Sequence, residues 1–380
     1  MSEPLKNIYS SEFLKDFGDK VHKVYTEFNS ELFTACVLSP PWAELELKAR
    51  IHKIAEKLGE YLPKDFEDAL QILFLINEDC VGFPYLFFPD FVATYGQNKK
   101  HFELSMNALE RFTEQSSSEF AIRPFLLNDP ERVMVYMFKW SLHKNEHIRR
   151  FSSEGCRPRL PWGTSLPMFK NNPSPILKIL ENLMADTSLY VRKSVANNLN
   201  DISKDNPKVV IELVKKWIGY SSETDWILRK GCRTLVRNAN PIALDLFGYT
   251  DFSDENPLFK NVIFNVTPKE LKIGDSCELN YSIDIVRNTP SHIRLEYGID
   301  FIKSNSRLSR KLFFLSDKTM SGGEHLSGIC THSFADLTTR KHYPGIHKIT
   351  LLVNGREIAH SILNILESKK LKNSLRSFQN

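Results

Sequence analysis

The sequence predicts two domains of different class: an all-α repeat solenoid over residues 1–250, followed by an all-β sandwich over residues 255–367. Three observations carry this prediction. Short segments up to about residue 248 place apolar residues at helical spacing, and a basic motif recurs among them. After "LFGYTDFSDENP" the chain changes to short runs rich in β-branched and aromatic residues.

The helical part is a series of amphipathic segments separated by proline. "SEFLKDFGDKVHKVYTEFNSELFTACV", "WAELELKARIHKIAEKLGEYL", "DFEDALQILFLIN" and "PERVMVYMFKWSLH" all repeat apolar residues every three or four positions. Proline stops helices or begins them, and the breaks fall at Pro40, Pro41, Pro63, Pro130, Pro207 and Pro241.

A basic motif repeats in the second half of the helical part. "HIRRFSSEG", "YVRKSVANN" and "ILRKGCRTL" share an apolar residue, an arginine, a second base and small residues. Their first arginines are Arg149, Arg192 and Arg229, which are 43 and 37 residues apart. This period fits HEAT-like repeats, which stack helix pairs into a curved solenoid. In such repeats the arginine either faces a ligand or braces the neighbouring repeat, and the pattern leaves both open.

The C-terminal part predicts an antiparallel sandwich of six or seven strands. Its apolar runs include "FKNVIFNVTP", "SCELNYSIDIV", "IRLEYGIDFI", "RKLFFLSD" and "GIHKITLLVNG", separated by turn signals such as Asn354-Gly355. The paired cysteines and tryptophan of antibody domains are absent, so we expect an Ig-like topology only. Residues 368–380 read as a basic tail.

Composition excludes several classes of protein. No apolar run approaches the roughly 20 residues of a membrane span, and the N-terminus lacks the pattern of an export signal. The 6 cysteines are scattered without a CxxC pair, which argues against a zinc site or a disulfide framework and predicts reduced thiols in the cytoplasm. No P-loop, GxGxxG, GxSxG, HExxH or zinc-deaminase pattern occurs, which argues against a nucleotide hydrolase, a dehydrogenase, a serine hydrolase or a zinc enzyme.

Positive charge is concentrated in one segment. Residues 139–240 contain 18 Lys and Arg against 9 Asp and Glu, a balance of +9, while the whole chain carries only +4. Such a segment is typical of a surface that binds nucleic acid or phosphate, although a merely solvated basic face has the same composition.

The stretch "VRKSVANNLNDISKDNP" combines an apolar helical face with a polar face of small residues, among them Ser194, Asn197 and Asp201. A carboxylate on a phosphate-binding surface is unfavourable unless the reaction develops positive charge. Cleavage of an N-glycosidic bond does so, because it passes through an oxocarbenium-like sugar. The alternative is that Asp201 is a solvated residue near a helix end.

These segments resemble a known family. The helical part is similar to the AlkC and AlkD family of bacterial alkylpurine DNA glycosylases, which are built from HEAT-like repeats. "VRKSVANNLNDISKDNP" and "WAELELKARIHKIAEKLGEYLPKDFEDAL" resemble the AlkC branch most closely, and the predicted sandwich resembles the Ig-like domain that some AlkC proteins carry. The aromatic–acid arrangement of the AlkD branch is not visible, so no AlkD site is transferred.

The resemblance implies base excision repair of alkylation damage. The expected activity is hydrolysis of the N-glycosidic bond of cationic bases, notably 3-methyladenine and 3-methylcytosine, in double-stranded DNA, with no metal and no cofactor. It further implies a monomeric, nucleoid-associated bacterial enzyme that cradles a distorted duplex and does not flip the base into a pocket. The sequence shows no obvious aromatic box for a flipped base.

The resemblance also implies two catalytic carboxylates, Asp201 and Glu119, and it implies that the polar face with Ser194, Asn197 and Asp201 is a stripe that faces the DNA. Glu119 follows Ser116 by three residues, so a helix-capping box is the alternative interpretation. Trp162, in "LPWG", is expected to stack on a sugar or base, or else to plug the core. Further expected DNA contacts are Phe120, Arg149, Arg150, Arg157, Arg159, Arg192, Lys193, Asn197, Arg229, Lys230 and Arg233.

Two further expectations concern the role of each domain. The sandwich is either a second clamp on the DNA or a spacer; the resemblance implies a clamp, with loops that carry Lys303, Arg307, Arg310 and Lys311 as the candidate contacts. The rival to the enzyme hypothesis is a non-catalytic HEAT-repeat scaffold that binds nucleic acid or protein, in which Asp201 would be dispensable.

Overall fold

Residues 4–337 and 340–367 are described by the computed structural model of the protein. By packing, the chain divides into two units between Cys232 and Arg233. The predicted basic tail, residues 368–380, lies outside the described residues. None of the described helices is long and apolar enough to cross a lipid bilayer.

The first unit is helical in its described residues. Its helices are α1 Ser11–Val24, α2 Ser30–Leu38, α3 Leu47–Tyr61, α4 Phe66–Ile76, α5 Phe87–Tyr95, α6 Phe102–Gln115, α7 Ile122–Asn128, α8 Pro130–Ser141, α9 Glu146–Gly155, α10 Pro167–Asn171, α11 Ser174–Asn182, α12 Leu189–Asp205, α13 Pro207–Trp217 and α14 Ser222–Gly231. Several pairs of consecutive helices pack on one another, such as α1 on α2 and α8 on α9, and α12 packs against both α9 and α14. This arrangement confirms the predicted all-α architecture.

Two of the three predicted repeat motifs are structurally equivalent. Helices α9 and α12 begin after Asn145 and Ser188, whose side chains accept a hydrogen bond from a backbone N–H of the first turn. In each helix the motif arginine turns back towards the preceding loop. Nη1 of Arg149 donates to the carbonyl oxygens of residues 143 and 144, and Nη1 of Arg192 donates to those of residues 186 and 187. The third motif is not equivalent to these two, because Arg229 lies in the last turn of its helix, α14, and not near the helix start.

The polar face of α12 is buried between helices. Ser194, Asn198 and Asp201 are all at most 2% exposed. The hydroxyl of Ser194 donates to Glu154 at 2.6 Å, and the amide of Asn198 donates to the carbonyl oxygen of Ser153 at 2.8 Å. The prediction of an open, DNA-facing stripe is therefore wrong for Ser194 and Asp201, while Asn197 is half-buried. Small polar residues on this face let α9 approach closely and satisfy its polar groups.

The second unit contains the predicted Ig-like sandwich. Its strands are β1 Phe259–Thr267, β2 Glu270–Lys272, β3 Ser276–Ile285, β4 Ser291–Ile302, β5 Leu308–Met320, β6 His325–Ser333, β7 Gly345–Val353 and β8 Arg356–Leu366. One sheet has the order β1-β3-β6 and the other the order β2-β8-β7-β4-β5. Neighbouring strands are antiparallel except for β2 and β8, which are parallel.

Side chains alternate between core and surface along these strands. In β3 the residues Cys277, Leu279, Tyr281, Ile283 and Ile285 point into the core, and the residues between them are partly or fully exposed. The turn between β7 and β8 is Asn354-Gly355, with both residues at positive φ, as a two-residue hairpin turn requires. Asn354-Gly355, which the sequence predicts as a turn, therefore forms the turn of a β-hairpin.

Two short helices belong to the second unit, α15 Arg233–Arg237 and α16 Pro241–Leu246. Nε of Arg237 lies 3.2 Å from the carboxylate of Glu296 on β4, and the ring of Tyr249 stacks on His292 at 4.4 Å. Our sequence boundary near residue 250 marks the change from helix to strand. The boundary between the two packed units falls earlier, because Arg237 and Tyr249 contact side chains of β4.

Candidate active site

A cleft with a volume of about 590 Å³ opens on the helical unit. Four segments line it: residues 81–86, the end of α6 with the turn before α7, α9 with the loop after it, and the start of α12. A cleft of this size is within the range of small-ligand sites. It brings together residues that are far apart in the sequence.

Glu119 lies in the turn before α7 and lines the cleft. Its carboxylate accepts a hydrogen bond from the hydroxyl of Ser117 and one from Nη1 of Arg150 at 2.9 Å. The capping-box interpretation is wrong, because α7 is preceded by Ala121 at its cap position and has no side-chain cap. The contacts of Glu119 hold its carboxylate at the cleft instead.

Arg150 is the cation beside this carboxylate. Its guanidinium also lies 4.8 Å from the ring centre of Tyr190 and 3.8 Å from the carboxylate of Glu154. Burial acts to lower the pKa of Arg150, but attraction to Glu119 and the hydrogen bond with it outweigh burial, and the pKa is raised. Arg150 is therefore a permanent positive charge in the wall of the cleft.

Behind Arg150 lies a second, buried set of charges. Nη1 of Arg157 donates to Glu154 at 2.6 Å, and its Nε donates to Asp201 at 2.9 Å. Lys204 donates to the other oxygen of Asp201 at 3.0 Å. Asp201 is 2% exposed and is not among the residues that line the cleft. The alternative of a solvated helix-end residue is therefore wrong, because α12 continues to Asp205 and the carboxylate is enclosed.

Glu154 is a site residue that the sequence analysis missed. It lines the cleft, is 6% exposed, and joins Arg150 to Arg157. The signal was available, since residues 150, 154 and 157 are spaced by four and three positions and so share one helical face.

Trp162 stands at the rim of the cleft, with 66% of its surface exposed. The alternative that it plugs the core is wrong. Nζ of Lys48 donates to the Trp162 carbonyl oxygen at 2.7 Å and lies 5.2 Å from the ring centre of Phe120, which also lines the cleft. Lys48 is thus a second residue of this region that the sequence did not indicate.

The cleft walls are rich in aromatic side chains. Phe83, Phe120, Trp162 and Tyr190 line it together with His147, whose ring meets that of Tyr190 edge-on at 5.5 Å. No aromatic box was visible in the sequence, because these rings come from four separate segments.

The other residues predicted to contact DNA differ in their ion pairs and in their exposure. Nε of Arg149 donates to Asp186 at 2.6 Å. Arg149 therefore braces the neighbouring repeat, which was one of the two roles that the sequence left open for it. Arg159 forms a bidentate ion pair with Asp205. Lys193, Arg229 and Lys230 are exposed, and Arg192, Asn197 and Arg233 are half-buried.

Of the four basic residues expected in loops of the sandwich, Arg310 and Lys311 lie on strand β5 instead, so the loop expectation is wrong for these two. Arg310 is engaged by the carboxylates of Asp300 and Glu357. Lys303 and Arg307 lie in the turn between β4 and β5, which is closed by a backbone hydrogen bond from Lys303 to Arg307.

The described residues contain no group of three or more His, Cys, Asp or Glu side chains that could hold a metal ion. What the cleft does contain is a carboxylate held beside a permanent cation, aromatic walls, and a buried charge network behind them. Such a constellation can stabilise positive charge that develops on a bound molecule.

Comparison with known proteins agrees with this organisation. Residues 100–235 match the family described as DNA alkylation repair enzyme, and residues 261–367 match the C-terminal Ig-like domain of the uncharacterised protein YhaZ. The uncharacterised protein YhaZ of Bacillus subtilis (strain 168) is 44% identical over 351 residues, which are 92% of this chain and 96% of that protein.

A solved structure covers nearly the whole chain. The Pseudomonas fluorescens alkylpurine DNA glycosylase AlkC, bound to DNA containing an abasic site analog, is 36% identical with a TM-score of 0.87. The match covers 96% of this chain and 100% of that one. Since both helical and Ig-like parts are matched, the chain belongs to the AlkC branch of the DNA alkylation repair enzymes, with a C-terminal Ig-like domain.

Proposed function

We propose that this protein is a DNA repair glycosylase that hydrolyses the N-glycosidic bond of cationic alkylated bases, such as 3-methyladenine and 3-methylcytosine, in duplex DNA. Family membership supports the reaction class. The observation that carries the proposal is the carboxylate of Glu119, held by Arg150 in a cleft with aromatic walls.

The chemistry suits a single carboxylate at the cleft. As the bond from C1′ to the base nitrogen breaks, its electron pair goes to the base and positive charge develops on the sugar. A base that is already cationic leaves as a neutral molecule, so no general acid is needed. Glu119 stabilises the sugar cation and orients the water that adds to C1′, and the proton that this water loses passes to the carboxylate and then to solvent.

Arg150 and the buried charges behind it hold this carboxylate in place. Arg150 fixes the orientation of Glu119, and Glu154 and Arg157 fix Arg150 in turn. In this proposal Asp201 acts through Arg157, because its carboxylate is enclosed by Arg157 and Lys204. Asp201 is then a positioning residue, which refines the catalytic role expected from the sequence.

The protein binds the duplex as a monomer, and the damaged base stays within the distorted DNA helix. Trp162 and Phe120 contact the sugar of the damaged nucleotide, and exposed basic residues such as Lys193 contact phosphates. A 2-aminopurine next to the lesion tests this geometry. Its fluorescence should rise only modestly on binding, whereas the strong rise of an unstacked base would contradict it.

The reaction is tested by incubating purified protein with methylated duplex DNA in the presence of EDTA. Chromatography of the supernatant should detect free 3-methyladenine, and heat-denatured protein should release none above the spontaneous rate. DNA binding without release would overturn the proposal in favour of the non-catalytic scaffold.

A further inference from the structure

The loop that carries Trp162 contains an unfavourable backbone conformation. Gly163 N–H donates to the carbonyl oxygen of Leu160 at 3.0 Å, which closes a four-residue turn with Pro161 at its second position. Trp162, at the third position, has φ 64°. A turn with Pro second and a positive φ third is of type II, which favours glycine there because a side chain crowds the backbone in this conformation. Contacts elsewhere must hold Trp162 in this conformation.

Arg123 supplies such contacts from beneath the loop. It lies in the first turn of α7, is 1% exposed, and donates to three backbone carbonyl oxygens. Nη1 reaches Gly155 at 3.0 Å, Nη2 reaches Arg157 at 3.1 Å, and Nε reaches Thr164. One guanidinium therefore joins both ends of the loop between α9 and α10.

The charge of Arg123 is expensive to bury, because these three hydrogen bonds go to neutral carbonyl oxygens and not to carboxylates. Burial, together with the nearby Arg157, lowers the pKa of Arg123 to about 10. The fit is also close: a methyl group added at Gly163 would lie 3.2 Å from Cδ and Nε of Arg123. A buried cation at this position is consistent with selection for a fixed loop geometry.

Lys48 holds the same loop from the other side. It is exposed, lies on α3, and donates to the Trp162 carbonyl oxygen at 2.7 Å. Its ammonium group also lies over the ring of Phe120 at 5.2 Å. A single lysine thus links the backbone at Trp162 to the ring of Phe120.

We propose that Arg123 and Lys48 are positioning residues of the site, which together hold Trp162 in its left-handed conformation at the rim of the cleft. The catalytic consequence rests on the proposed glycosylase function. A substrate-positioning group that is displaced by about 1 Å can cost about 10²-fold in rate. The positional claim itself needs no activity to be tested.

The test uses the full chain, whose 5 tryptophans are all replaced by 5-fluorotryptophan. The ¹⁹F resonance that is lost in Trp162→Phe identifies Trp162. Arg123→Lys keeps the charge but cannot span three carbonyls, and Lys48→Met removes one exposed contact. In both variants the Trp162 resonance should shift and narrow while the other four stay in place. Lys23→Met, at an exposed lysine of α1, is the matched control.

Excision is measured on the same variants under single-turnover conditions at saturating protein. We expect a loss of about 10-fold to 100-fold in rate for Arg123→Lys and a smaller loss for Lys48→Met, with little change in affinity for undamaged DNA. If Arg123→Lys fails to fold, Lys48→Met still decides the question. An unshifted Trp162 resonance in the folded variants would overturn the inference. A wild-type protein that releases no base would overturn the proposed function alone, because the resonance is read independently.

Discussion

Arg157 and Asp201 form a buried ion pair that joins the loop after α9 to the middle of α12. Nε and Nη2 of Arg157 both lie 2.9 Å from the same oxygen of Asp201, and the two residues are 6% and 2% exposed. Attraction to Glu154 and Asp201 overcomes the effect of burial and raises the pKa of Arg157. The carboxylate expected from the sequence to face DNA thus serves first to hold an arginine behind the cleft.

Asp201→Asn should therefore destabilise the fold as well as slow the reaction. Removing one charge of a buried pair leaves the other unpaired, and such changes cost about 3–5 kcal/mol in the free energy of unfolding. Asp205→Asn is the matched control, because Asp205 pairs with the partly exposed Arg159 and should cost at most about 1 kcal/mol. Urea unfolding of both variants measures the difference. Equal stabilities would contradict the positioning role and favour a directly catalytic Asp201.

Arg149 and Lys193 should respond differently to alanine substitution. Arg149 is tied to Asp186 and to two backbone carbonyls, so Arg149→Ala should lower the melting temperature and leave the salt dependence of DNA binding unchanged. Lys193 is exposed on α12, and as a phosphate contact its loss should reduce the slope of log K against log salt by about 1. Titrations at several salt concentrations check both. A reduced slope for Arg149→Ala would show that Arg149 contacts phosphate.

The Ig-like unit should lose stability in mild acid because of a buried histidine. Burial, followed by repulsion from Arg340 and His342, lowers the pKa of His332 to about 4. An unfolded chain takes up this proton near pH 6.5, so stability is complete above about pH 6.5 and falls as pH drops towards 4. The loss reaches up to about 3 kcal/mol at pH 4, at 1.36 kcal/mol per pKa unit. The hydroxyl of Tyr297, 2.9 Å from Nδ1, supports the neutral ring.

Denaturant unfolding of the full chain at pH 7.5 and pH 5 measures this effect. The difference in stability between the two pH values should shrink in His332→Gln. It should stay as in the wild type for His360→Gln, whose side chain is exposed on β8. A pH dependence that His332→Gln leaves unaltered would assign the acid sensitivity to other groups.

Much of the fold could be predicted because local pattern decides it. Val191, Val195, Leu199 and Ile202 are all fully buried, as their helical spacing indicated. The sandwich was likewise predictable from alternation and turn residues. The polar face of α12 could not be assigned, because a buried face of small polar residues and a DNA-facing one have the same period in the sequence.

The site was predictable only in part, for a similar reason. Glu119 and Trp162 came from a family resemblance, and both line the cleft. Lys48 and Arg123 lie 114 and 41 residues from the carbonyls that they bind, so no local pattern could connect them to the cleft. Tertiary contacts of this kind become visible only in the folded chain.

The central claim is that the Glu119 carboxylate stabilises the sugar cation, and single-turnover release of 3-methyladenine by Glu119→Gln tests it most directly. Glutamine keeps the size and removes the charge, so the rate should fall by about 10²–10³. The fold and affinity for undamaged DNA should be retained, and Glu212→Gln, at an exposed carboxylate of α13, should behave as wild type. A folded Glu119→Gln protein that releases base at the wild-type rate would contradict the account.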